Sequence, residues 1–267
     1  MLAGTKWRPT RIERISSVLS TSTKPLYVVT DAGMALVKYM GNRQGLDALV
    51  SELLAAELAG LVGLCTPDFA VAEISELTTE DPFVTVLPGP AFFSRWEQAS
   101  SLAPNSRLLA NLRNPSEVAL LVVFDTWIRN KDRFADDANG EVLNYDNILF
   151  KADRRKTQLL VIDHSHAFAE TSLEDEINDE WAKEQIVYGL FKEFAAMLTR
   201  NDVKSALDRL CTIAIDKIED ICAASPPEWG FMNNTAHRLA EALVHRADCM
   251  RNWVPDAIFA QQEMKFD

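Results

Sequence analysis

The rhythm of hydrophobic positions changes along the chain. Two apolar runs, residues 26–29 and 34–39, flank the turn Asp31-Ala32-Gly33. Short runs on either side of such a turn predict a hairpin, with one strand over residues 25–30 and Lys38 late in the second. From residue 46 to 62 the pattern becomes helical, with Leu49, Leu53, Ala56, Gly60 and Gly63 approximating one packing face. Glu52 and Glu57 lie on this helix about 140° apart, so only one of them can face a partner on a neighbouring strand. Gly63-Leu64-Cys65-Thr66-Pro67 ends the helix. Residues 69–74 and 83–87 then read as two strands around a polar turn over residues 76–82. Leu87-Pro88-Gly89-Pro90 is the strongest breaker in the chain, and a boundary between two lobes is expected there.

Beyond the breaker the rhythm is mainly helical. Pro115-Ser116-Glu117 opens a helix that runs through Trp127 to about Arg129. Further helices are expected over residues 179–198, 203–222 and 235–253, punctuated by Pro226 and Pro227. Residues 124–168 break this pattern. An apolar helix delivers Asp132 in the run Asn130-Lys131-Asp132-Arg133. A polar loop, residues 134–146, follows and contains an Asn139-Gly140 turn signal. A short strand over residues 148–150 opens directly after Asn147, and a charged turn over 151–156 leads to a second strand, residues 159–162, that ends on Asp163. Asp132, Asn147 and Asp163 therefore all stand at ends of regular elements, where polar side chains can converge on one cleft.

Length and composition narrow the classes. The 267 residues fit one large domain or two small lobes, with ample apolar material for a core. A formal net charge of −12 argues against a general nucleic-acid surface, which needs clustered Lys and Arg. The four cysteines, Cys65, Cys211, Cys222 and Cys249, are far apart without a CxxC pair, and read as reduced thiols rather than a zinc or disulfide framework. The N-terminal residues lack the apolar run of a signal peptide, and the longest apolar run, residues 118–124, is too short to span a bilayer. A soluble, cytoplasmic protein with no membrane partner is expected.

The candidate chemistry follows from side-chain type. Two carboxylates and an amide oxygen are hard ligands suited to magnesium and phosphate chemistry, although Asp and Asn also favour element ends as plain turn residues. Ser16, Ser17, Ser20, Thr21, Ser22 and Thr23 crowd the approach to the first hairpin strand. Such a loop can offer backbone N–H groups to phosphate, or be an ordinary polar loop. His164 and His166 have the spacing of strand neighbours that can share a transition metal, yet no Cys or third His lies near in sequence. His237, Glu241 and His245 recur at helical spacing, which suits a solvated helix face better than a metal site. The acids Glu174, Asp175 and Glu176, with Asp179 and Glu180, read as a solvated face or as a means of choosing a basic substrate. There is no GxSxG elbow, HExxH, GxGxxG after a strand or Walker A lysine, so hydrolase and Rossmann readings have little support.

The order of strand lysine, helix glutamate, breaker, helical region, then Asp, Asn and Asp resembles a protein-kinase-like fold. More narrowly, the phrases STSTKPLYVV, ALVKYMGN, LVSELLAAELAGLVGLCTPDFAVAEI, GPAFFSRW, FDTWIRNKDR, DNILF and LLVIDHSHAF resemble the HipA-like kinase family, over most of residues 12–168. A looser similarity links the Asp-Arg pair, the downstream Asn and the Ile-Asp phrase to phosphatidylinositol kinases. The resemblance implies an α+β fold of two lobes: a small mixed N-lobe with an antiparallel sheet over residues 1–88, and a mainly helical C-lobe over 89–267. It implies ATP and Mg2+ as cofactors. Lys38 would hold the α- and β-phosphates, positioned by Glu52, with Ser20, Thr21 and Ser22 in the phosphate loop. Asp132 would orient or deprotonate the acceptor hydroxyl, and Asn147 and Asp163 would hold magnesium. Two departures stand out: the loop inserted between Asp132 and Asn147, and His164-Ser165 after Asp163 in place of Phe-Gly. The leading expectation is a kinase acting on a protein Ser or Thr. The alternatives are a kinase for a small molecule or lipid headgroup, and a pseudokinase that senses nucleotide or serves as a scaffold.

Overall fold

The computed structural model describes residues 3–21, 23–102, 107–134 and 144–264. Strands β1 (Ile12–Val18), β2 (Leu26–Thr30), β3 (Gly33–Lys38), β4 (Phe69–Ile74) and β5 (Gly89–Arg95) form an antiparallel sheet in the order β1-β2-β3-β5-β4. The β2–β3 turn is held by the Thr30 hydroxyl, which donates to the Gly33 carbonyl at 2.6 Å and accepts from the Ala32 amide at 3.1 Å. Alternation then sorts the side chains of β3. Ala35 and Val37 enter a small core with Trp7, Leu26 and Val28, which leaves Leu36 and Lys38 on the other face.

That other face is covered by α1 (Asp47–Val62), and nearly every side chain of this helix is buried. One side meets β5; the other meets α6 (Ile215–Cys222) and Trp229 of the helical region. A helix between two layers has no solvent face, which is why its apolar residues extend well beyond one stripe. Gly63 ends it in the left-handed conformation at φ 85°.

The second layer begins with β6 (Ala99–Ser101), β7 (Ile148–Asp153) and β8 (Lys156–Val161), which form a three-stranded antiparallel sheet in that order. The helix α2 (Glu117–Ile128) runs through the large core and is buried from Val118 to Ile128. Around it lie α3 (Leu173–Glu176), α4 (Asp179–Lys183), α5 (Arg200–Cys211), α6, α7 (Asn233–Met250) and α8 (Val254–Met264). The expected α+β class and the two-lobed arrangement are present.

Several expected elements are corrected. Residues 12–18 form a strand rather than part of a polar loop. Residues 83–87 contribute only an isolated bridge, Leu77 to Val86, and the strand lies just beyond, at β5. The sheet therefore continues past Leu87-Pro88-Gly89-Pro90, and the boundary expected at residue 88 falls between two strands of one sheet. Pro90 is tolerated there because it sits at the start of its strand. Its carbonyl accepts the Trp229 indole N–H at 3.0 Å. The helix expected over 179–198 stops at Lys183, and the one expected over 203–222 divides at residues 212–214. The loop between Asp132 and Asn147, with Asn139-Gly140, lies largely outside the described residues.

Candidate active site

The two layers meet at a cleft of about 430 Å³. Leu36 and Phe92 line it from the five-stranded sheet, Leu19 from just past β1 and Leu149 from the three-stranded sheet, while Lys38, Glu52, Asn147 and Asp163 form its polar end. Thr21 also lines the cleft. Ser20 is exposed and is not among the lining residues, and Ser22 lies outside the described residues.

Lys38 is the centre of the polar end. Its Nζ contacts Glu52 Oε1 of α1 and lies 2.6 Å from Asp163 Oδ1, just past the end of β8. Glu52 Oε1 also accepts the His164 amide at 2.9 Å. The 140° separation along α1 turns Glu57 the opposite way, to the Ala3 amide, and both glutamates are buried rather than solvated. Burial works against the Lys38 charge, but Asp163 and Glu52 outweigh it and raise its pKa. Burial likewise opposes ionisation of Asp163, yet Lys38 holds that carboxyl well below the usual carboxylate range. Glu52 goes the other way: burial, with repulsion from Asp163, pushes it up to about 7 despite Lys38.

Asn147 is 4% exposed and immediately precedes β7, while Asp163 lies two residues beyond β8. Ile148 pairs with Val161, so the ladder brings these two ends together. Asp163 has a left-handed backbone, φ 59°, and its Oδ1 also accepts the Ser165 hydroxyl at 3.1 Å. Among the described residues no group of three or more His, Cys, Asp or Glu can hold a metal ion, so the pairing considered for His164 and His166 has no third ligand of those types. An ionised carboxylate and an amide oxygen at adjacent strand ends do fit magnesium, which takes one or two protein ligands and completes its shell with phosphate and water. The Asn147 amide nitrogen is buried without a protein partner.

Asp132 stands on a 3-10 turn, Lys131–Arg133, after the left-handed Arg129 (φ 53°) that ends α2. Burial, then the charge of Asp163, pushes its carboxyl up to about 7. The turn is held by the next residue, whose role sequence reasoning missed. Arg133 is wholly buried and pairs with Asp125 of α2. Its Nη2 donates to the Asn147 carbonyl at 3.2 Å and to the Ile162 carbonyl at 2.5 Å. One guanidinium therefore fixes the turn bearing Asp132, the entry to β7 and the exit of β8. The available signal was the adjacency of Arg133 to Asp132, together with an isolated Asp125 inside an otherwise apolar helix.

A lysine–glutamate–aspartate triad in an interlobe cleft, beside an aspartate-bearing turn, defines a protein-kinase-like fold. A family model described as HipA-like kinase matches residues 12–253, and the chain belongs to that family of kinase-type phosphotransferases. Among solved structures the chain is similar to the Helicobacter pylori proinflammatory kinase CtkA, with a TM-score of 0.55 and 14% identity over 97% of this chain and 98% of that one. It also overlaps HipA of Shewanella oneidensis MR-1, from the toxin–antitoxin complex of HipA, HipB and operator DNA, with a TM-score of 0.49 and 10% identity over 96% and 70% of the two chains. At such identities the likeness is one of fold alone. No curated protein sequence matches. Among the described residues no helix is long and apolar enough to cross a membrane.

Proposed function

We propose that this chain is an ATP- and magnesium-dependent phosphotransferase with a hydroxyl acceptor, and that the acceptor is a protein Ser or Thr. The observation that carries the reading is Lys38, held 2.6 Å from Asp163 and in contact with Glu52 at the polar end of the cleft. Transfer of a phosphoryl group needs charge neutralisation and in-line positioning more than covalent help. Lys38 supplies a fixed cation for the α- and β-phosphates, and Glu52 keeps it extended across the cleft. Asn147 and Asp163 would hold magnesium, which supplies neutralisation of phosphate charge. Asp132 orients the acceptor hydroxyl and accepts its proton; a carboxyl raised to about 7 suits that task near neutral pH. The exposed acids Glu174 and Asp175, on the segment after Asp163, favour a basic stretch around the hydroxyl.

The test is transfer from γ-labelled ATP with magnesium, to the chain itself and to Ser- and Thr-containing peptide mixtures. Asp132→Ala is expected to bind ATP within about twofold of wild type while losing on the order of 10² to 10⁴ in rate. Equal labelling by wild type and Asp132→Ala would overturn the assignment of Asp132. A wild-type protein that binds ATP and transfers nothing to either acceptor would make the chain a pseudokinase.

A further inference from the structure

The carboxylate of Asp132 faces His166, whose Nε2 lies 3.7 Å from Oδ1. His166 belongs to the segment after Asp163, and its carbonyl accepts the Lys131 amide at 3.3 Å, so the two backbones run side by side here. The other neighbour of the imidazole comes from the opposite lobe: the Gln44 side-chain nitrogen contacts the same Nε2. Gln44 lies in the short connection between β3, which carries Lys38, and α1, which carries Glu52. That connection is stiff. The Asn42 side chain donates to the Tyr39 carbonyl at 2.8 Å and the Gly45 carbonyl at 3.1 Å, and accepts the Gln44 amide at 2.9 Å. The Gln44 side-chain oxygen is buried with no protein partner. Gln44 as a residue is half-buried, and an enclosed polar atom without a partner calls for an explanation.

Resting on the reading of Asp132 as the acceptor-side base, we propose that His166, oriented by Gln44, is a positioning residue that holds the Asp132 carboxylate for the incoming hydroxyl and links that pose to the small lobe. The separation of 3.7 Å is one small adjustment from a hydrogen bond, and contacts of this kind tighten when substrate binds. Burial lowers the His166 pKa and so favours the neutral imidazole. Both contacts fall on Nε2, so a neutral ring protonated there shares its single N–H between the Asp132 carboxylate and the Gln44 amide oxygen, once that amide is turned to face it. The ring orients Asp132 without adding a cation that would compete with Lys38 for Asp163. Because Gln44 comes from the small lobe and Asp132 from the large one, the imidazole stands between the two lobes.

The experiment is steady-state ATP turnover, read as ADP release with magnesium present, alongside equilibrium ATP binding. It compares wild type, Asp132→Ala, His166→Ala, His166→Gln, Gln44→Ala and the double variant of Gln44 and His166. His166→Ala is expected to lower kcat about 10- to 100-fold, the effect of a small misplacement of a catalytic group, with ATP affinity unchanged. His166→Gln, which keeps a neutral donor and acceptor at similar reach, should restore most of the loss. Gln44→Ala should give a smaller loss, and in the double variant it should add nothing, since the two residues act in series. Wild-type kcat in His166→Ala, or a loss of ATP affinity equal to the loss of turnover, would overturn the proposal. So would full additivity in the double variant. If His166→Ala does not fold, His166→Gln decides: the proposal fails if this variant folds and is as inactive as Asp132→Ala. An active His166→Ala beside an inactive Asp132→Ala would remove His166 and leave the base in place. A fully active Asp132→Ala, or an inactive wild type, would remove both.

Discussion

The residues of the cleft make opposite demands on stability. Asp132 carries a pKa raised to about 7 by burial and by Asp163. Such a carboxyl favours the folded state while protonated; that contribution is fully present below its unfolded value and is lost as pH rises through about 7. Asp132→Asn should therefore stabilise the ligand-free protein more at pH 8 than at pH 5, by about 2–4 °C in Tm for each kcal/mol relieved. A thermal melt at the two pH values checks this, and equal shifts at both would contradict it. The same raised pKa predicts that kcat/KM climbs with pH below about 7 and levels off above it, as a base must be deprotonated to act. Arg133 makes the reverse case. Its pair with Asp125 is fully buried, so Arg133→Leu strands a carboxylate and should destabilise by about 3–5 kcal/mol in urea unfolding. Replacing Asp125 and Arg133 together by leucine should lose much less than that, because no unpaired charge remains.

At the scale of elements, the segment that follows α4 backs the turn bearing Asp132. The Gly189 amide donates to the Arg133 carbonyl at 2.7 Å, and Gly189 has φ 70°. A Cβ there would lie 2.5 Å from Asp125 Oδ2. Gly189→Ala should destabilise by about 2 kcal/mol or more, combining left-handed strain with a clash against a buried carboxylate. Chemical denaturation measures it, and a neutral result would show that the segment can move aside. This segment also marks where the sequence was hard to read. Residues 184–198 contain Val187, Tyr188, Phe191 and Phe194, apolar enough to suggest a helix. Their packing against α2 and Tyr145 instead holds them in an extended path and a 3-10 turn. The strand β5 was hidden for a different reason: Gly89 and Pro90 look like a break, yet they begin a central strand. The hairpin, α1 and α2 were legible because a turn, a cap or an unbroken apolar run marks each one locally. Lys38, Glu52 and Asp163 were placed by their order along the chain. Arg133, Gln44 and His166 act through contacts between elements far apart in sequence, and no local pattern records such contacts.

Over the whole molecule, α1 decides how the lobes relate. Its residues belong to the large core that also contains α2, β7 and α7, and the carbonyl of Pro90 in β5 is held by Trp229. The small lobe has its own core on one face of its sheet, around Trp7, Leu26 and Val37, but on the other face it shares α1 with the large core. Calorimetry should give a single unfolding transition for the ligand-free chain, and two resolved transitions would contradict a shared core. Saturating ATP with magnesium should raise Tm through the Lys38 and Asp163 ends of the cleft. At about 100 times Kd the linkage amounts to about 2.7 kcal/mol. Asp163→Asn should abolish most of that gain. The left-handed backbone of Asp163 bears on this comparison. Asn accepts φ 59° as readily as Asp does, so the variant keeps its conformation and loses only its charge. Removing the carboxylate of Asp132 is even expected to relieve the ligand-free fold. The two acids thus stand differently toward the fold: losing the Asp132 carboxylate relieves a buried charge, whereas losing that of Asp163 leaves the Lys38 ammonium to Glu52.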